Sequence, residues 1–490
     1  MPKRMLVLAG LLLAALPALA QEKPKNIIVM IADGAGYNML AATRLWRGGP
    51  LAVDGPGFTQ MAQSVYPLRT GNAVVEGPEG LAQDPLAVYA PARAWDSRPL
   101  PGPSRVLRFE SFPAAFAGYE WARATYPDSA NTATAMATGV KSYNNAINVD
   151  GNGRPLLSLA EVARAAGRQT GVVTTVQLGD ATPAAFGGAH SSNRGNRQEI
   201  VMEMFSAGTL DVIAGTGNPD FDDDGRPREP RYRWFSEAMW KDLKAGTNVS
   251  GVQGKGVPWT LLSRRADIQA IATGRTAPPA RLAMVIEADE GHQSYRACEG
   301  CDRATMAPYA RPQLAGSPTL TELSNAALAR LGGAPQGFYL MIEGGAVDRA
   351  MHANFLGRAI EEYDEFDAAV RAVVEWIERP DTPADWSNTL LIVTADHDHH
   401  LHGPEGARIP FEGLVDRGAG QLPGHRWFAA THSNFLVPLY VRGLGADRIA
   451  AAADAQDFHK DPAGRTFGRG RMTDQAELGA LLLELARPRP

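Results

Sequence analysis

The sequence predicts an α/β fold built on a largely parallel β-sheet that is buried on both faces. The first indication is a set of five segments rich in Val, Ile and Leu, which lack the alternation of a half-exposed strand. These segments are Asn26 to Ala32, Thr170 to Val176, Leu282 to Glu287, Gly337 to Ile342 and Thr389 to Thr394. The second indication is the helical spacing of apolar residues at 157–166, 319–331 and 358–377. Strands that alternate with helices favour a parallel sheet, and ligands of such sheets bind beyond the carboxyl ends of the strands.

The composition is that of a folded, exported protein. Of 490 residues, 44% are hydrophobic and 21% are charged, and the formal net charge is -5, so disorder and an obligate nucleic-acid partner are both disfavoured. Residues 1–20 run from Lys3 and Arg4 through an apolar stretch to Ala-Leu-Ala, which is the order of a cleavable signal peptide. The apolar run is too short for a permanent membrane span. We therefore expect a periplasmic or extracellular protein with no transmembrane segment after cleavage, and an uncleaved anchor is the alternative.

Residues 21–490 are expected to form a single domain with two surface insertions. The stretch 50–115 is rich in Pro and Gly and shows no sustained periodicity. The stretch 215–310 mixes loops with short elements. Both depart from the alternation of strands and helices that characterises the rest of the chain.

The second stretch contains an acidic loop with a DxDxDG pattern. Asp220, Asp222 and Asp224 resemble the front half of a calcium-binding loop. An EF-hand is excluded, because the twelfth position would be Arg231 where a bidentate acid is required. A solvated acidic turn is favoured over a calcium site, which remains the alternative.

The chain has two cysteines, Cys298 and Cys301, in a Cys-Glu-Gly-Cys motif. In an exported protein this spacing favours a small structural disulfide over a redox centre or a zinc knuckle. A tetrahedral zinc site would need two further ligands, and the nearest histidine, His292, supplies at most one. A disulfide is therefore predicted.

Acidic and histidine residues cluster where the predicted strands end. Asp348 and His352 lie four residues apart after the strand that runs into Glu343, so one helical turn places both on one face. The full set is Asp33, Glu343, Asp348, His352, Asp396, His397, His399 and His432. Ionised carboxylates cannot share a pocket without cations, so a metal site is predicted; mixed His and Asp ligands suit zinc, and oxygen ligands suit magnesium. The neighbouring His400 and His402 are expected to face solvent.

Two further motifs indicate a nucleophile and an anion-binding group. Ser129 begins a run of small residues, so its hydroxyl would lie at a helix N-terminus, which favours an anion. Arg194 follows the segment Asp180-Ala-Thr182-Pro and could hold two phosphate oxygens. Taken singly, Ser129 would be an N-cap, Arg194 a surface salt-bridge residue and Asp33 part of a turn. Their combination with the metal-ligand set indicates a functional site.

These motifs together resemble those of the alkaline phosphatase family from residue 26 to about residue 443. They are IADGAG, PDSANTATAMATGVKSYN, DATPAA with AHSSNR, MIEGGAVDRAMHAN, VTADHDH and THSNFLVPLY. The resemblance implies a three-layer α/β/α sandwich and a homodimer. It also implies a phosphomonoesterase with an alkaline preference, which releases an alcohol and inorganic phosphate from small-molecule phosphate monoesters through a phosphoserine intermediate.

The same resemblance implies two zinc ions and one magnesium ion. The first zinc would be bound by Asp348, His352 and His432. The second zinc, beside the nucleophile, would be bound by Asp33, Asp396 and His397. Asp33 would also bridge to the magnesium ion, whose other ligands would be Thr182 and Glu343.

The remaining roles follow from the same resemblance. Ser129 would be the nucleophile, and Arg194 would hold the phosphate oxygens. Asp180 would contact the residues that bind the metals or the phosphate, and His399 would orient the zinc ligands. Arg349 stands where bacterial relatives often have lysine, and its wider guanidinium is expected to change how phosphate is held and released.

Other functions are compatible with parts of the sequence. A sulfatase would carry Pro and then Arg shortly after its nucleophile, and the residues that follow Ser129 lack them. A phosphodiesterase of the same superfamily is harder to exclude, because pocket shape alone distinguishes one ester arm from two. A catalytically silent metal or phosphate binder is disfavoured by the presence of both Ser129 and Arg194. A thiol oxidoreductase built on Cys298 and Cys301 is the weakest alternative.

Overall fold

A computed structural model of the chain describes residues 22–94, 120–247, 258–404, 413–460, 464 and 466–488. The predicted signal peptide, residues 1–20, lies outside these residues, and so does the part of the first predicted insertion from 95 to 115. Within the described ranges, no helix combines the length and the apolar composition needed to cross a bilayer.

Thirteen strands occur in the described part of the chain. They are β1 (Asn26–Ile31), β2 (Thr59–Ser64), β3 (Gln169–Gln177), β4 (Val212–Thr216), β5 (Thr260–Leu262), β6 (Leu282–Val285), β7 (Phe338–Glu343), β8 (Thr389–Thr394), β9 (Asp398–His402), β10 (Arg426–Ser433), β11 (Val437–Gly443), β12 (Ala455–Lys460) and β13 (Thr466–Asp474). All five predicted strands are present, as β1, β3, β6, β7 and β8.

Eleven of these strands form one sheet in the order β12-β13-β2-β11-β8-β1-β7-β3-β4-β6-β5. The seven neighbours from β8 to β5 run parallel to one another. Strand β11 is antiparallel to both β8 and β2. The remaining two strands, β9 and β10, form a separate antiparallel ribbon. The prediction of a largely parallel sheet is thus confirmed.

Fifteen α-helices accompany the strands in the described ranges. They are α1 (Tyr37–Arg47), α2 (Pro78–Leu81), α3 (Pro91–Ala94), α4 (Glu120–Ala124), α5 (Ser129–Thr138), α6 (Leu159–Ala165), α7 (Ala181–Phe186), α8 (Arg197–Ser206), α9 (Glu237–Ala245), α10 (Arg265–Ala272), α11 (Leu320–Leu331), α12 (Ala346–His352), α13 (Leu356–Glu378), α14 (Ala446–Ala452) and α15 (Gln475–Ala486). The three predicted helical segments correspond to α6, α11 and α13.

Helices cover both faces of the sheet, because successive side chains of a strand point to opposite faces. On β1, Ile28 and Met30 pack in a cluster with apolar residues of α1, α11 and α13. Ile27, Val29 and Ile31 pack in a second cluster with residues of α5, α6 and α15. All five side chains are buried, and each contributes about 1.5–3 kcal/mol relative to an exposed position. The chain is therefore a three-layer α/β/α sandwich, as the family resemblance implied.

Parts of the two stretches that the sequence assigned to insertions lie in the main sheet. Within 50–115, β2 pairs with β11 and β13. Within 215–310, β5 and β6 pair at the far edge of the sheet. The sequence of β2, TQMAQS, has few apolar residues, so its place in the sheet depends on backbone pairing with its neighbours and not on its own hydrophobic pattern.

The loop between β6 and α11 contains both cysteines. Cys298 and Cys301 form a disulfide, which confirms the structural interpretation of the Cys-Glu-Gly-Cys motif. The loop ends where Thr319 caps α11, since its side chain accepts a hydrogen bond from the amide of Glu322. The same loop reaches the cavity described below.

Candidate active site

Four adjacent strands of the parallel sheet deliver carboxylates to one edge. Asp33 lies two residues beyond β1, Asp396 two beyond β8 and Asp180 three beyond β3, and Glu343 is the last residue of β7. These strands are neighbours in the order β8-β1-β7-β3, so their carboxyl ends meet at the same place. Asp33, Glu343 and Asp396 are all buried. The structure therefore brings these predicted site residues together.

Asp348 lies among three histidines, and with His352 and His432 it forms what we call the first group. Its Oδ1 is 3.4 Å from Nε2 of His352 and 3.4 Å from Nε2 of His432. The Nε2 atoms of these two histidines are 3.0 Å apart. Burial alone would raise the pKa of Asp348, but the surrounding histidines outweigh it and hold that pKa well below the usual range. The first group thus offers one charged oxygen and two nitrogens to a common point.

Backbone carbonyls orient both histidines of the first group. Nδ1 of His352 donates to Ala430 O at 2.7 Å, and Nδ1 of His432 donates to Pro127 O at 2.9 Å. A neutral imidazole that is protonated at Nδ1 has its lone pair on Nε2. Metal-binding histidines commonly donate their other ring N–H to a carbonyl in this way. Both rings are therefore oriented as metal ligands.

The β9–β10 ribbon places His432 next to Asp348. His432 on β10 lies opposite His399 on β9, whereas further along the ribbon Trp427 lies opposite Leu401. The register shifts between Trp427 and His432, which is a β-bulge in β10. Bulges change the direction in which the following side chains point.

Asp33, Asp396 and His397 form the second group, next to Ser129. Nε2 of His397 is 3.3 Å from Oδ1 of Asp33, 3.3 Å from Oδ2 of Asp396 and 3.2 Å from Oγ of Ser129. The other oxygen of Asp396 accepts hydrogen bonds from the amides of Gly34 at 3.0 Å and of His397 at 2.9 Å. These bonds direct Oδ2 toward the ring nitrogen.

The two groups are in contact, and His399 supports one of them. The rings of His397 and His432 stack with centroids 3.6 Å apart. Burial lowers the pKa of His399 to about 3, so its ring is neutral and its Nε2–H donates to Oδ1 of Asp348 at 2.7 Å. Distance alone would group His399 with Asp348, His397 and His432. Its Nε2 is thus already engaged by Asp348, as expected of a residue that orients this carboxylate.

A third group consists of buried oxygens that have no hydrogen-bond partner within the described part of the chain. They are Oδ1 of Asp33, Oγ1 of Thr182 and Oε1 of Glu343. Burial raises the pKa of Glu343 to about 8. Burial, with repulsion from Asp396, Asp348 and Glu343, also raises the pKa of Asp33 well above its usual range. A divalent cation would relieve both effects, and an all-oxygen donor set suits magnesium.

Two arginines meet at Asp180. Nη2 of Arg194 donates to Oδ1 of Asp180 at 2.8 Å, and Arg349 donates to Oδ2. Burial opposes ionisation of Asp180, but Arg349 and Arg194 outweigh it and lower its pKa to about 2. Asp180 is therefore charged at any physiological pH, and it holds the two guanidinium groups at one edge of the site.

Asp128 is a site residue that the sequence reasoning did not single out. It caps α5, since its Oδ1 accepts a hydrogen bond from the amide of Asn131 at 3.0 Å, and its Oδ2 lies 3.3 Å from Nη1 of Arg194. The same oxygen accepts a hydrogen bond from the amide of Asn145 at 2.9 Å. Its position directly before Ser129, with Asn three residues later, is a capping signal that could have identified it.

Ser129 is the first residue of α5 and is buried. The small residues of α5 allow α15 to pack closely against it: a Cβ atom at Gly479 would collide with the carbonyl of Ala135. This contact holds the C-terminal half of α5 against α15, while the first residue of the helix, Ser129, lies beside the second group. The run of small residues after Ser129 thus has a structural reason.

An open cavity of about 570 Å³ adjoins the first group. Its wall includes Tyr295, Arg303, Arg349, His352 and Phe355. Tyr295 and Arg303 belong to the loop that contains the disulfide, whereas Arg349 and His352 belong to α12. Of the first group, His352 therefore lies at this opening.

The expectation that His400 and His402 face solvent is wrong. They are 0% and 2% exposed. Both lie near the ring of Phe435, at 6.1 and 5.9 Å between centroids, and His402 is 5.5 Å from Phe428. Burial lowers the pKa of His402 to about 3 and that of His400 well below its usual range. These histidines are part of the packing behind the ribbon.

The three aspartates of the DxDxDG loop accept hydrogen bonds from different protein donors. Asp220 accepts hydrogen bonds from Trp240 Nε1 at 2.9 Å, and Asp222 accepts bonds from two backbone amides of its own turn. Asp224 accepts a hydrogen bond from the amide of Ala297 at 2.7 Å. Protein donors engage each carboxylate separately, and the three do not converge on one point. This hydrogen bonding favours an acidic turn, and the calcium site stays an untested alternative.

Comparison with known proteins identifies relatives of this chain. Alkaline phosphatase 4 of Bacillus subtilis (strain 168) is 31% identical over 277 residues, which cover 55% of this chain and 49% of that protein. Alkaline phosphatase of Escherichia coli (strain K12) is 29% identical over 296 residues, which cover 56% and 58%. The chain thus spans about half the length of the curated relatives it matches.

Solved structures and a family model give the same result. Alkaline phosphatase from the Antarctic bacterium TAB5 superimposes with a TM-score of 0.59 at 20% identity, covering 95% of this chain and 99% of that one, which shows a common fold. A variant of the TAB5 enzyme was solved with magnesium bound and gives a TM-score of 0.58 at 20% identity, with coverage of 95% and 99%. The alkaline phosphatase family model matches residues 92–461. This chain therefore belongs to the alkaline phosphatase family.

Proposed function

We propose that the protein is an exported alkaline phosphatase that hydrolyses phosphate monoesters to an alcohol and inorganic phosphate through a phosphoserine at Ser129. The observation that carries the proposal is the position of Ser129. Its hydroxyl lies at the N-terminus of α5, 3.2 Å from a ring nitrogen of the second group. A nucleophile beside a set of metal ligands, with an arginine at the same edge, is the arrangement that phosphoryl transfer requires.

The donor atoms fit two zinc ions and one magnesium ion. The first and second groups combine nitrogen and oxygen donors, which suit zinc. The third group offers oxygens alone, two of which belong to buried carboxyl groups with raised pKa values. Bound there, such ions supply Lewis acidity and neutralise charge on a transferring phosphoryl group.

The protein's own residues supply orientation and charge. The amides at the start of α5 favour an anion next to Ser129. Asp180 holds Arg194 by one nitrogen at 2.8 Å, which leaves other N–H groups of the guanidinium to bind phosphate oxygens. Arg349 shares the same carboxylate and adds a second positive charge. We assign Arg194 to phosphate binding and Arg349 to tuning how tightly phosphate is held.

The cavity next to the first group would accept the alcohol part of the ester. It is open and about 570 Å³ in volume, so it does not select one narrow shape. This supports a monoesterase with many substrates over one with a single natural ester. A second ester arm would also need room near Ser129, and this is where a phosphodiesterase would differ.

The direct test is hydrolysis of p-nitrophenyl phosphate by the purified protein from residue 21, across pH, with bis(p-nitrophenyl) phosphate measured in parallel. We expect monoester turnover that chelation abolishes and that zinc plus magnesium restore. Turnover of the diester alone would assign a phosphodiesterase. No turnover of either compound by the metal-loaded protein would assign a silent binder.

Export and assembly are further parts of the proposal. We propose that residues 1–20 are removed on export and that the mature protein forms a homodimer in the periplasm or outside the cell. N-terminal sequencing of the secreted protein should begin near Gln21, and light scattering should give twice the mass of the chain. Recovery of the full-length chain with the membrane fraction would contradict the first point, and a monomeric mass the second.

A further inference from the structure

A second cluster of histidine and carboxylate side chains lies outside the candidate active site. His292, Glu362 and Glu365 offer ligand atoms that all lie within 4.8 Å of one another. His292 belongs to the loop between β6 and α11, and both glutamates belong to α13. We call these three residues the loop cluster. It shares no residue with the three groups of the active site.

Hydrogen bonding determines which nitrogen of His292 faces the glutamates. Nε2 donates to Pro318 O at 2.5 Å, so in the neutral ring Nδ1 has the lone pair. Nδ1 is 3.5 Å from Oε2 of Glu365 and has no hydrogen-bond partner among the described residues. The other oxygen of Glu365 accepts a hydrogen bond from the amide of Leu320 at 2.5 Å, which directs Oε2 toward the ring. A lone pair and a carboxylate oxygen repel each other at this distance unless a proton or a cation lies between them.

Glu362 has no hydrogen-bond partner in the described part of the chain. Its side chain is 3% exposed, and both of its oxygens are buried without a donor. Of the nearby arginines, Arg296 pairs with Glu361 at 2.7 Å. Arg358 donates through Nη1 to Gln293 O at 2.6 Å, and its Nε makes no hydrogen bond to Glu362 or to any other described residue. Buried carboxylates are normally paired, hydrogen-bonded or bound to a metal, and Glu362 lacks the first two.

We propose that Nδ1 of His292 and the carboxylates of Glu362 and Glu365 bind a divalent transition-metal ion, for which zinc is the best match. One nitrogen and two carboxylate donors suit zinc, whereas calcium and magnesium prefer oxygen alone. Ligand atoms of a tetrahedral zinc ion lie roughly 3.4 Å apart, which agrees with the 3.5 Å between His292 and Glu365. The bond from Nε2 to Pro318 is the carbonyl support that metal-binding histidines commonly have.

The competing explanation is a proton. Burial, with repulsion from Glu365 and Glu361, raises the pKa of Glu362 well above its usual range, so without a metal this carboxyl is protonated. A protonated carboxyl would normally find an acceptor, and Glu362 has none among the described residues. A bound metal accounts for the convergence of His292, Glu362 and Glu365 on one point. A proton on Glu362 accounts only for how its negative charge is neutralised.

The ion would fasten the disulfide loop to α13. His292 lies three residues before Tyr295 in this loop. Further along, the loop contains the disulfide and Arg303. Tyr295, both cysteines and Arg303 line the open cavity. A metal at the base of this loop would hold that wall of the cavity in place. Its effect on catalysis would be indirect, through the position of the wall.

The test is an anomalous-scattering map at the zinc edge, from crystals of the whole protein grown with excess Zn²⁺. We expect a peak bonded to Nδ1 of His292, in addition to peaks at the first and second groups. No peak at His292 in a crystal whose active site contains zinc would overturn the proposal. This result is independent of the proposed function, because it requires no turnover.

Variants on α13 provide a second measurement. Glu362→Gln should reduce the zinc content measured by mass spectrometry by one ion per chain, and chelation should then lower the melting temperature less than in the wild type. Glu375→Gln, an exposed position on the same helix, is the matched control and should keep the full zinc content. An unchanged zinc content in folded Glu362→Gln would count against the site. If this variant does not fold, the wild-type map decides alone.

Discussion

The active site and the loop cluster have similar residues but differ in what surrounds them. Both contain buried histidines and carboxylates with ligand atoms within 4.8 Å of one another. The active site also has Ser129 at 3.2 Å from His397, two arginines on Asp180 and an adjoining cavity. The loop cluster has no serine or arginine among its ligands and is covered by the loop itself. The comparison indicates that ligand spacing predicts where a cation binds, whereas a nucleophile and an anion-binding group predict where chemistry occurs.

The largest expected effect is that of Ser129→Ala on turnover. We expect a loss of about 10⁴-fold in kcat, because the nucleophile is removed while the metal ligands remain. Zinc content and melting temperature should stay at the wild-type values. The matched control is Ser142→Ala, a buried serine outside the site whose Oγ has no partner among the described residues. If Ser129→Ala kept wild-type turnover, the active site would be no more catalytic than the loop cluster.

The second prediction concerns the pH dependence of stability after chelation. Burial raises the pKa of Glu343 to about 8, so the folded state binds a proton that the unfolded state releases near the ordinary carboxyl pKa of 4.5. The chelated protein should therefore become less stable as the pH rises from about 4.5 to 8, by an amount on the order of several kcal/mol. Magnesium should remove most of this slope, since it replaces the proton. Urea unfolding at several pH values would measure it, and a chelated protein whose stability rose over this range would contradict the third group as a cation site.

A smaller effect is expected from removing the disulfide near the loop cluster. Cys298→Ser with Cys301→Ser opens a very short loop, so we expect a loss of about 1–2 kcal/mol in the free energy of unfolding. Turnover should remain within about twofold, because neither sulfur takes part in the proposed chemistry. The measurement is denaturant unfolding beside the p-nitrophenyl phosphate assay. Complete loss of turnover in a folded double variant would revive the redox interpretation of these cysteines.

The smallest expected effect is that of Arg349→Lys. Lysine keeps the charge near Asp180 but loses the planar guanidinium, so we expect a three- to tenfold change in inhibition by inorganic phosphate, about 1 kcal/mol. The inhibition constant and kcat would be measured together. A variant that changed neither would show that Arg349 acts only as a partner of Asp180. Arg379→Lys, on an exposed arginine that pairs with Asp381 at 3.0 Å, is the control.

The sequence predicted those strands whose own residues show a continuous apolar pattern. Segments such as Thr389–Thr394 are continuously apolar because they are buried on both faces. Strand β2 lacked that signal, since its place depends on hydrogen bonds to β11 and β13, which lie more than 350 residues away in the chain. Periodicity cannot report pairing over such a distance.

The same reasoning explains what was predicted in the candidate site and what was missed. Candidate ligands that directly follow a strand, such as Asp33 and Asp396, were found because parallel strands bring their carboxyl ends together. His400 was misjudged because Phe435, on a different segment, covers it. Glu362 resembled one more charge on an amphipathic helix, and its burial depends on the loop between β6 and α11, in which His292 precedes it by 70 residues.

The bulge in β10 has a consequence for protein engineering. If the pairing of Trp427 with Leu401 continued without interruption, Ala429 would stand opposite His399, and His432 would lie beyond it. A deletion between 427 and 432 would therefore shorten the irregular segment that leads into His432, while leaving every proposed ligand residue in the sequence. A redesign of β10 should therefore preserve the number of residues between Trp427 and His432 as strictly as the identity of His432. The length of this segment determines where the His432 side chain lies.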